Sequence, residues 1–281
     1  SSGNNIYVLH MNPTTTTTHP SAQALTATSG TFTSDLTVDT DTLKVDASED
    51  TVCINTTATN FDAGADDLIV GSGSGDSGIT IYTGSSVGDK GSIFFADSTV
   101  GSSAEKKGQI SYEQNNEIMT FFTNDTLAMQ IDLNGHVTMP KQPAFLAVMS
   151  ANMNNLALNT DTVIAYNTER FDQNSDYNNS TYTFTAPVTG RYQLQFYIRF
   201  DQLDQDTDHL RTRIVTSNRT YETRIVDPSS YDIDTRYHGN TSCVLADMDS
   251  GDTATAQFFN HNSGNAQVDL SEGHFSGFLV C

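Results

Sequence analysis

The sequence predicts an all-β protein, and three observations predict it. Thr, Ser, Asn, Asp and Gly dominate the composition, apolar residues recur at every second position in short runs, and turn residues such as Asn134-Gly135 separate those runs. Residues of this kind favour turns and short strands over helices. With 281 residues the chain has room for two domains, since one domain takes roughly 100 to 200. The hydrophobic fraction of 36% is low for a globular protein.

Residues 1–34, with the unbroken run Thr14 to Thr18 between Pro13 and Pro20, read as an extended linker or attachment segment. From residue 35 the units Leu36-x-Val38, Leu43-x-Val45 and Val52-x-Ile54 alternate with Asp, Thr and Ser turns, which means very short strands. Such strands bury no face alone and become stable by stacking or by wrapping around identical chains. That is the logic of a fibrous shaft. Leu68–Val70, Ile79–Tyr82 and Ile93–Phe95 continue the style between Gly-rich stretches. Gln109–Tyr112, Ile118–Phe122, Ala128–Ile131 and His136–Met139 then read as hairpin strands joined at 114–116, Asn124-Asp125 and Asn134-Gly135. The Gly-rich stretch 71–75 lacks the Lys-Ser/Thr ending and the helix of a phosphate cradle.

Gly91-Ser-Ile-Phe-Phe-Ala-Asp97, Gly108-Gln-Ile-Ser-Tyr112, Met119-Thr-Phe-Phe-Thr-Asn124, Met129-Gln-Ile-Asp132 and Asn134-Gly135-x-Val137 together resemble a segment common in tail-fibre and tail-spike-like proteins of bacteriophages. The resemblance covers about residues 35–140 and implies a β-rich fibre shaft on a virion. It says nothing direct about receptor chemistry.

Met139-Pro-Lys-Gln-Pro143 is stiff, and a domain border near 140 is expected there. Beyond it the strands lengthen. In Arg191–Phe200 the residues Tyr192, Leu194, Phe196, Ile198 and Phe200 alternate with Gln193, Gln195, Tyr197 and Arg199, so one face is core and the other wet. Further strands read at 145–149, 163–166, 182–184, 210–216, 220–226, 241–246, 253–259 and 274–280. Eight or nine strands in about 140 residues indicate a sandwich or jelly roll.

Tyr182-x-Phe184, Ala186-Pro-Val-Thr-Gly190-x-Tyr192-x-Leu194, Val244-Leu-Ala-Asp-Met-Asp-Ser-Gly251-Asp252 and Phe275-Ser-Gly-Phe-Leu279 give residues 141–281 a resemblance to the globular head of complement component one subcomponent q. That head is a relative of the tumour necrosis factor jelly roll. The resemblance implies a ten-stranded jelly-roll sandwich that assembles as a homotrimer around a hydrophobic axis, with strands near Phe196 and Phe278 facing that axis. It also implies ligand recognition by the outer loops. The charged loops 201–208 and 231–240 depart from the pattern, so ligand preferences of animal members are not carried over.

Net charge is −21 and the pI near 4.3, spread along the chain. This repels phosphate backbones, so nucleic acid is not an expected partner. No run approaches the roughly 18 apolar residues of a membrane helix, so membrane insertion is not expected either. Cys53, Cys243 and Cys281 match neither a disulfide framework nor a zinc spacing and read as free, mostly buried thiols.

Asp204, Asp206 and Asp208 open like a calcium loop, but His209 stands where Gly belongs and Val215 where the bidentate Glu belongs. Calcium is therefore the one candidate ion, against the alternative of a solvated acidic loop, and no other cofactor is expected. Tyr177, Tyr221, Tyr231, Tyr237 and Arg236 sit in or beside loops rich in Asn, Asp and Arg, the mixture used on sugars and protein surfaces. They are the receptor-binding candidates, weighed against edge tyrosines with no ligand.

No catalytic constellation is legible, so the chain is expected not to be an enzyme. The expected function is a virion fibre, extracellular, whose N-terminal part meets other virion or tail proteins and whose head binds a host-surface glycan or protein. The alternatives are a purely structural or decoration fibre with the jelly roll as trimerisation domain, and a surface polysaccharide depolymerase, which would need two carboxyls at fixed separation in a cleft.

Overall fold

The computed structural model describes residues 36–38, 42–46, 48–56, 61–62, 64–99, 103–264 and 268–280. The Thr-rich segment of residues 1–34 and Cys281 lie outside the described residues. The fold is all-β, with no α-helix among the described residues. It divides into two compact units, residues 1–80 and 81–281.

The first unit is one small sheet of β1 (Leu36–Val38), β2 (Leu43–Asp46), β3 (Thr51–Ile54) and β4 (Leu68–Val70), in that order. Neighbours run antiparallel except β3 and β4, which are parallel. Strands this short bury little, and Cys53 and Ile69, opposite each other in the register, are its buried apolar side chains. The turn after β2 is held by the Asp46 carboxylate, which accepts from Ser48 N at 3.0 Å, Ser48 Oγ at 2.7 Å and Lys44 Nζ at 2.5 Å. The Lys44 ammonium first, then Ser48, hold its pKa well below the usual carboxylate range.

The second unit opens with a meander of β5 (Lys90–Phe95), β6 (Gly108–Glu113), β7 (Ile118–Thr123), β8 (Thr126–Ile131) and β9 (Val137–Thr138). Asn124 and Asp125 take left-handed φ values of 49° and 57° in the β7/β8 hairpin, the pairing-compatible turn that Asn and Asp tolerate. At the β8/β9 turn the Asp132 carboxylate accepts from the backbone N–H groups of Asn134 and His136, both at 2.9 Å, and Gly135 supplies a φ of 82°. This sheet has almost no interior of its own. Ser111 is its buried residue, while Ile93, Phe94 and Phe95 are half exposed. The strand expected at Ile79–Tyr82 does not form, because residues 78–84 pair with no strand among the described residues.

Two face-to-face sheets follow. One runs β12 (Thr168–Asp172), β10 (Ala144–Val148), β20 (Asp269–Leu279), β15 (Gly190–Leu203), β18 (Thr235–Met248). The other runs β13 (Tyr177–Asn178), β14 (Thr183–Thr185), β19 (Thr253–His261), β16 (His209–Thr216), β17 (Thr220–Val226), with β11 (Asp161–Val163) added against β19. This is the jelly roll, ten strands plus β11. The alternation in β15 places Tyr192, Leu194, Phe196, Ile198 and Phe200 wholly in the core with Phe145, Phe184, Phe258 and Phe275. Within the two strands expected to face an assembly axis, Phe196 is a core residue of the single head, whereas Phe278 points outward and is 50% exposed. Gly277 is fixed by close approach, since a Cβ there would meet Leu194 Cδ2 at 2.7 Å and Phe145 Cε1 at 2.8 Å. Cys243 is exposed on the outer face of β18, so the expectation of mostly buried thiols holds for Cys53 and fails for Cys243.

Candidate functional site

The antiparallel connections sort the loops of the head into two ends. The chain arrives at Pro143, whose carbonyl accepts from Leu279 N at 3.1 Å, and Ala144 pairs with Phe278. That end also holds the 186–189 and 249–252 loops, tied by the hydrogen bonds of Gly251 N to Ala186 O and Ala186 N to Asp252 O, both 2.8 Å. The opposite end carries the loops 204–208 and 227–234 together with residues 262–264, where β15, β17 and β19 finish and β16, β18 and β20 begin.

The far end gathers Tyr231, Tyr237 and Arg236, three of the five receptor-binding candidates. Tyr237, 51% exposed on β18, lies opposite Asp201 of β15. The Arg199 guanidinium stands 4.8 Å from the Tyr237 ring centroid and that of Arg236 5.1 Å from it. Arg199 is itself fixed: Nη1 donates to Glu272 Oε2 at 2.5 Å, Nε donates to Ser271 Oγ at 2.9 Å, and Asp201 Oδ1 lies 3.4 Å from Nε. Tyr231 packs partly against the core, with its hydroxyl 3.3 Å from His238 Nδ1, and Ile233 beside it is 73% exposed. The result is an exposed ring flanked by two guanidinium groups, with carboxylates held in place beside it. Such a surface stacks on an apolar sugar face or a peptide side chain and hydrogen-bonds around it.

The other candidates fall elsewhere. Tyr177 is corrected to a core residue: it is 5% exposed, stacks on Phe145 at 4.9 Å, and its hydroxyl donates to Tyr166 O at 2.9 Å. Burial pushes its phenol pKa up, and a ring enclosed in this way presents nothing to a receptor. Tyr221 lies toward the Pro143 end, half-buried, with its hydroxyl donating to Asp247 Oδ1 at 3.2 Å beside the Arg219–Asp247 ion pair. Asp204, Asp206 and Asp208 do not converge on one point, which corrects the calcium loop. The Asp204 carboxylate accepts from Asp206 N at 2.9 Å, and Asp208 Oδ2 lies 3.2 Å from His261 Nδ1 and accepts from Ser263 N at 3.1 Å. Among the described residues no group of three His, Cys, Asp or Glu is arranged to hold a metal ion. The loop instead belongs to the far-end surface, through Gln205 N donating to Asp234 Oδ1 at 3.1 Å.

Arg199, Glu272 and Ile233 belong to this surface and were not singled out from the sequence. The wet-face position of Arg199 in the β15 alternation was the available signal. Its meeting with Tyr237 depends on the β15/β18 register, which local sequence does not encode.

Three head histidines share a pKa displacement. Burial holds His209, His238 and His274 below the ordinary 6.5, with His261 and Arg211 adding to the effect at His209 and Arg224 at His238. The unfolded chain takes up protons as pH falls through about 6.5 while the folded head resists them, so stability is full above 6.5 and is lost below it. Melting temperature is expected to be flat from about pH 8.5 to 7 and to fall between about pH 6.5 and 5. In a His238→Phe variant, which keeps a ring against Phe200, that fall becomes shallower. A Tm independent of pH down to 5 would contradict the assignment.

No curated protein matches the chain. Solved structures similar to it include the globular domain of zebrafish complement 1qA, at 18% identity and a TM-score of 0.39, covering 50% of this chain and 98% of that one. Murine APRIL is also similar, at 14% identity and a TM-score of 0.37, covering 50% of this chain and 100% of that one. The sequence model of the C1q domain matches residues 144–280. That span begins and ends with the two-sheet sandwich, so the match to the C1q domain falls on the jelly-roll head and on no other part of the chain.

Proposed function

We propose that the chain is a fibre protein of a virion, a bacteriophage tail fibre, whose homotrimeric head binds a host-surface glycan or protein through its far end. C1q and TNF-like domains are often trimeric structural or receptor-binding heads and are typically non-enzymatic. The observation that carries the binding role is Tyr237, exposed between Arg199 and Arg236 at the end of the head remote from the arriving chain. The shaft-like run of residues 35–140 supports the fibre, because its sheets leave apolar side chains exposed that neighbouring chains would cover. Three heads on one fibre multiply weak single contacts into firm attachment.

The test is competition: purified full-length protein is added to susceptible cells before the virus. Reduced adsorption without release of sugar fragments supports the adhesin. Tyr237→Ala, which removes an exposed ring and no core contact, is expected to raise the concentration needed by about tenfold or more, the loss of an aromatic anchor worth over about 1.4 kcal/mol in each head. Released oligosaccharides would favour the depolymerase. Absence of both effects would leave the decoration fibre.

A further inference from the structure

We propose that residues 78–84 form a β-strand that pairs only between copies of this chain, by adding to the free edge of β5 in a neighbouring copy. The inference rests on the multi-copy reading above and assigns it a specific point of exchange. Ile79-Thr80-Ile81-Tyr82-Thr83 is an unbroken run of β-branched and aromatic residues without charge, bounded by Gly78 and Gly84. This is strand composition. Yet the segment belongs to no strand, and its backbone makes no hydrogen bond with any described part of the chain. Its side chains are bare as well: Ile79 is 71% exposed and Tyr82 97%.

A hairpin with β5 in the same chain is the obvious alternative, and the geometry runs against it. Ile81 sits over Gly91, its Cγ2 only 3.2 Å from where a Cβ on that glycine would be. Ile81 and Gly84 lie beside Gly91 and Asp89, yet no backbone hydrogen bond joins the segment to β5 across the turn that Asp89 N closes by donating to Ser86 O at 3.0 Å. Unpaired peptide groups beside exposed apolar side chains are the condition under which a strand joins another chain's sheet.

Of the two free edges of the meander, which adjoins the segment in sequence, β5 is the acceptor. β5 is six residues long, pairs with β6 on one side and with no described strand on the other, and half exposes Ile93, Phe94 and Phe95. The opposite edge of that sheet, β9, is two residues long and offers too little ladder. Strand 78–84 laid along β5 of a second copy would satisfy both rows of peptide groups and cover apolar side chains of both.

Hydrogen exchange on the assembled full-length protein reads this directly. The amides of residues 79–83 are expected to exchange about 100-fold or more slower than unstructured peptide, and Ile81→Pro, which removes a ladder donor, is expected to abolish that protection while leaving β15 and β20 unchanged. A Thr80→Cys, Phe94→Cys double variant treated with a short bis-maleimide is expected to run as covalent multimers on a denaturing gel, beyond anything given by the native thiols of the parent chain. Fast exchange at 79–83 in a protein that light scattering shows to be trimeric overturns the inference and leaves the trimer standing. A monomeric parent chain overturns both. Protection accompanied only by internally linked monomer overturns the exchange between copies.

Discussion

Phe145→Ala is expected to destabilise the head by about 3 to 5 kcal/mol, the cost of deleting a large aromatic from a packed core. Phe145 is 1% exposed and stands at the centre of the aromatic cluster, with ring centroids 4.9 Å from Tyr177, 4.9 Å from Phe184 and 5.0 Å from Phe275. It is carried by β10, a five-residue strand that packs between β12 and β20. Its loss therefore leaves a cavity spanning both sheets, because Phe184 and Tyr177 come from one sheet and Phe275 from the other. Rigid strands close such a void poorly. A typical domain is stable by only about 5 to 15 kcal/mol, so the variant should show a much lower midpoint in urea unfolding. Tyr177→Phe, which removes only the hydroxyl donating to Tyr166 O, serves as the mild comparison at about 1 kcal/mol. A Phe145→Ala midpoint within error of the parent would mean that the cluster is not packed as described.

How much of this was legible follows from the length of each element. The period-two run of β15 spans 14 residues in the structure, and its alternation named the five core side chains correctly. The strands β16, β17 and β19 were legible for the same reason. β12 and β13 were missed, because Thr168–Asp172 carries charges at Glu169, Arg170 and Asp172 and Tyr177–Asn178 is only two residues long. Both owe their strand geometry to neighbours, Phe145 and Leu146 pairing with Asp172 and Phe171, and Tyr177 with Phe184. Tyr177 looked like a loop aromatic for the same reason: its flanking residues are polar, and only the approach of β10 and β14 encloses it. Ile79–Tyr82 failed in the opposite direction. Its pattern is a strand pattern, but a strand needs a partner, and pattern alone does not say whether that partner lies in the same chain.

Phe278→Asp is expected to turn a trimer into monomers whose heads remain folded. The outer face of the β12-β10-β20-β15-β18 sheet presents Phe278 at 50% exposure and Leu245 at 53%, in register on either side of Gln193. Neither side chain contributes to the single head's core, since the inward positions beside them are filled by Gly277, Leu194, Val244 and Ala246. Two large apolar groups in one row on either side of Gln193 are poorly placed against water, and the trimer proposed above would cover them. If this face is the assembly surface, one substitution places three carboxylates together in a dry contact, and each buried charge without a partner costs several kcal/mol. Phe196→Asp would separate chains as well, but by unfolding the head, because Phe196 is fully buried in the protomer. The two outcomes are told apart by measuring mass and fold together. Light scattering should report one chain in place of three for Phe278→Asp and for Leu245→Asp, with the far-ultraviolet β spectrum retained. A Phe278→Asp protein that stays trimeric would move the assembly surface away from this sheet, toward contacts made by the shaft.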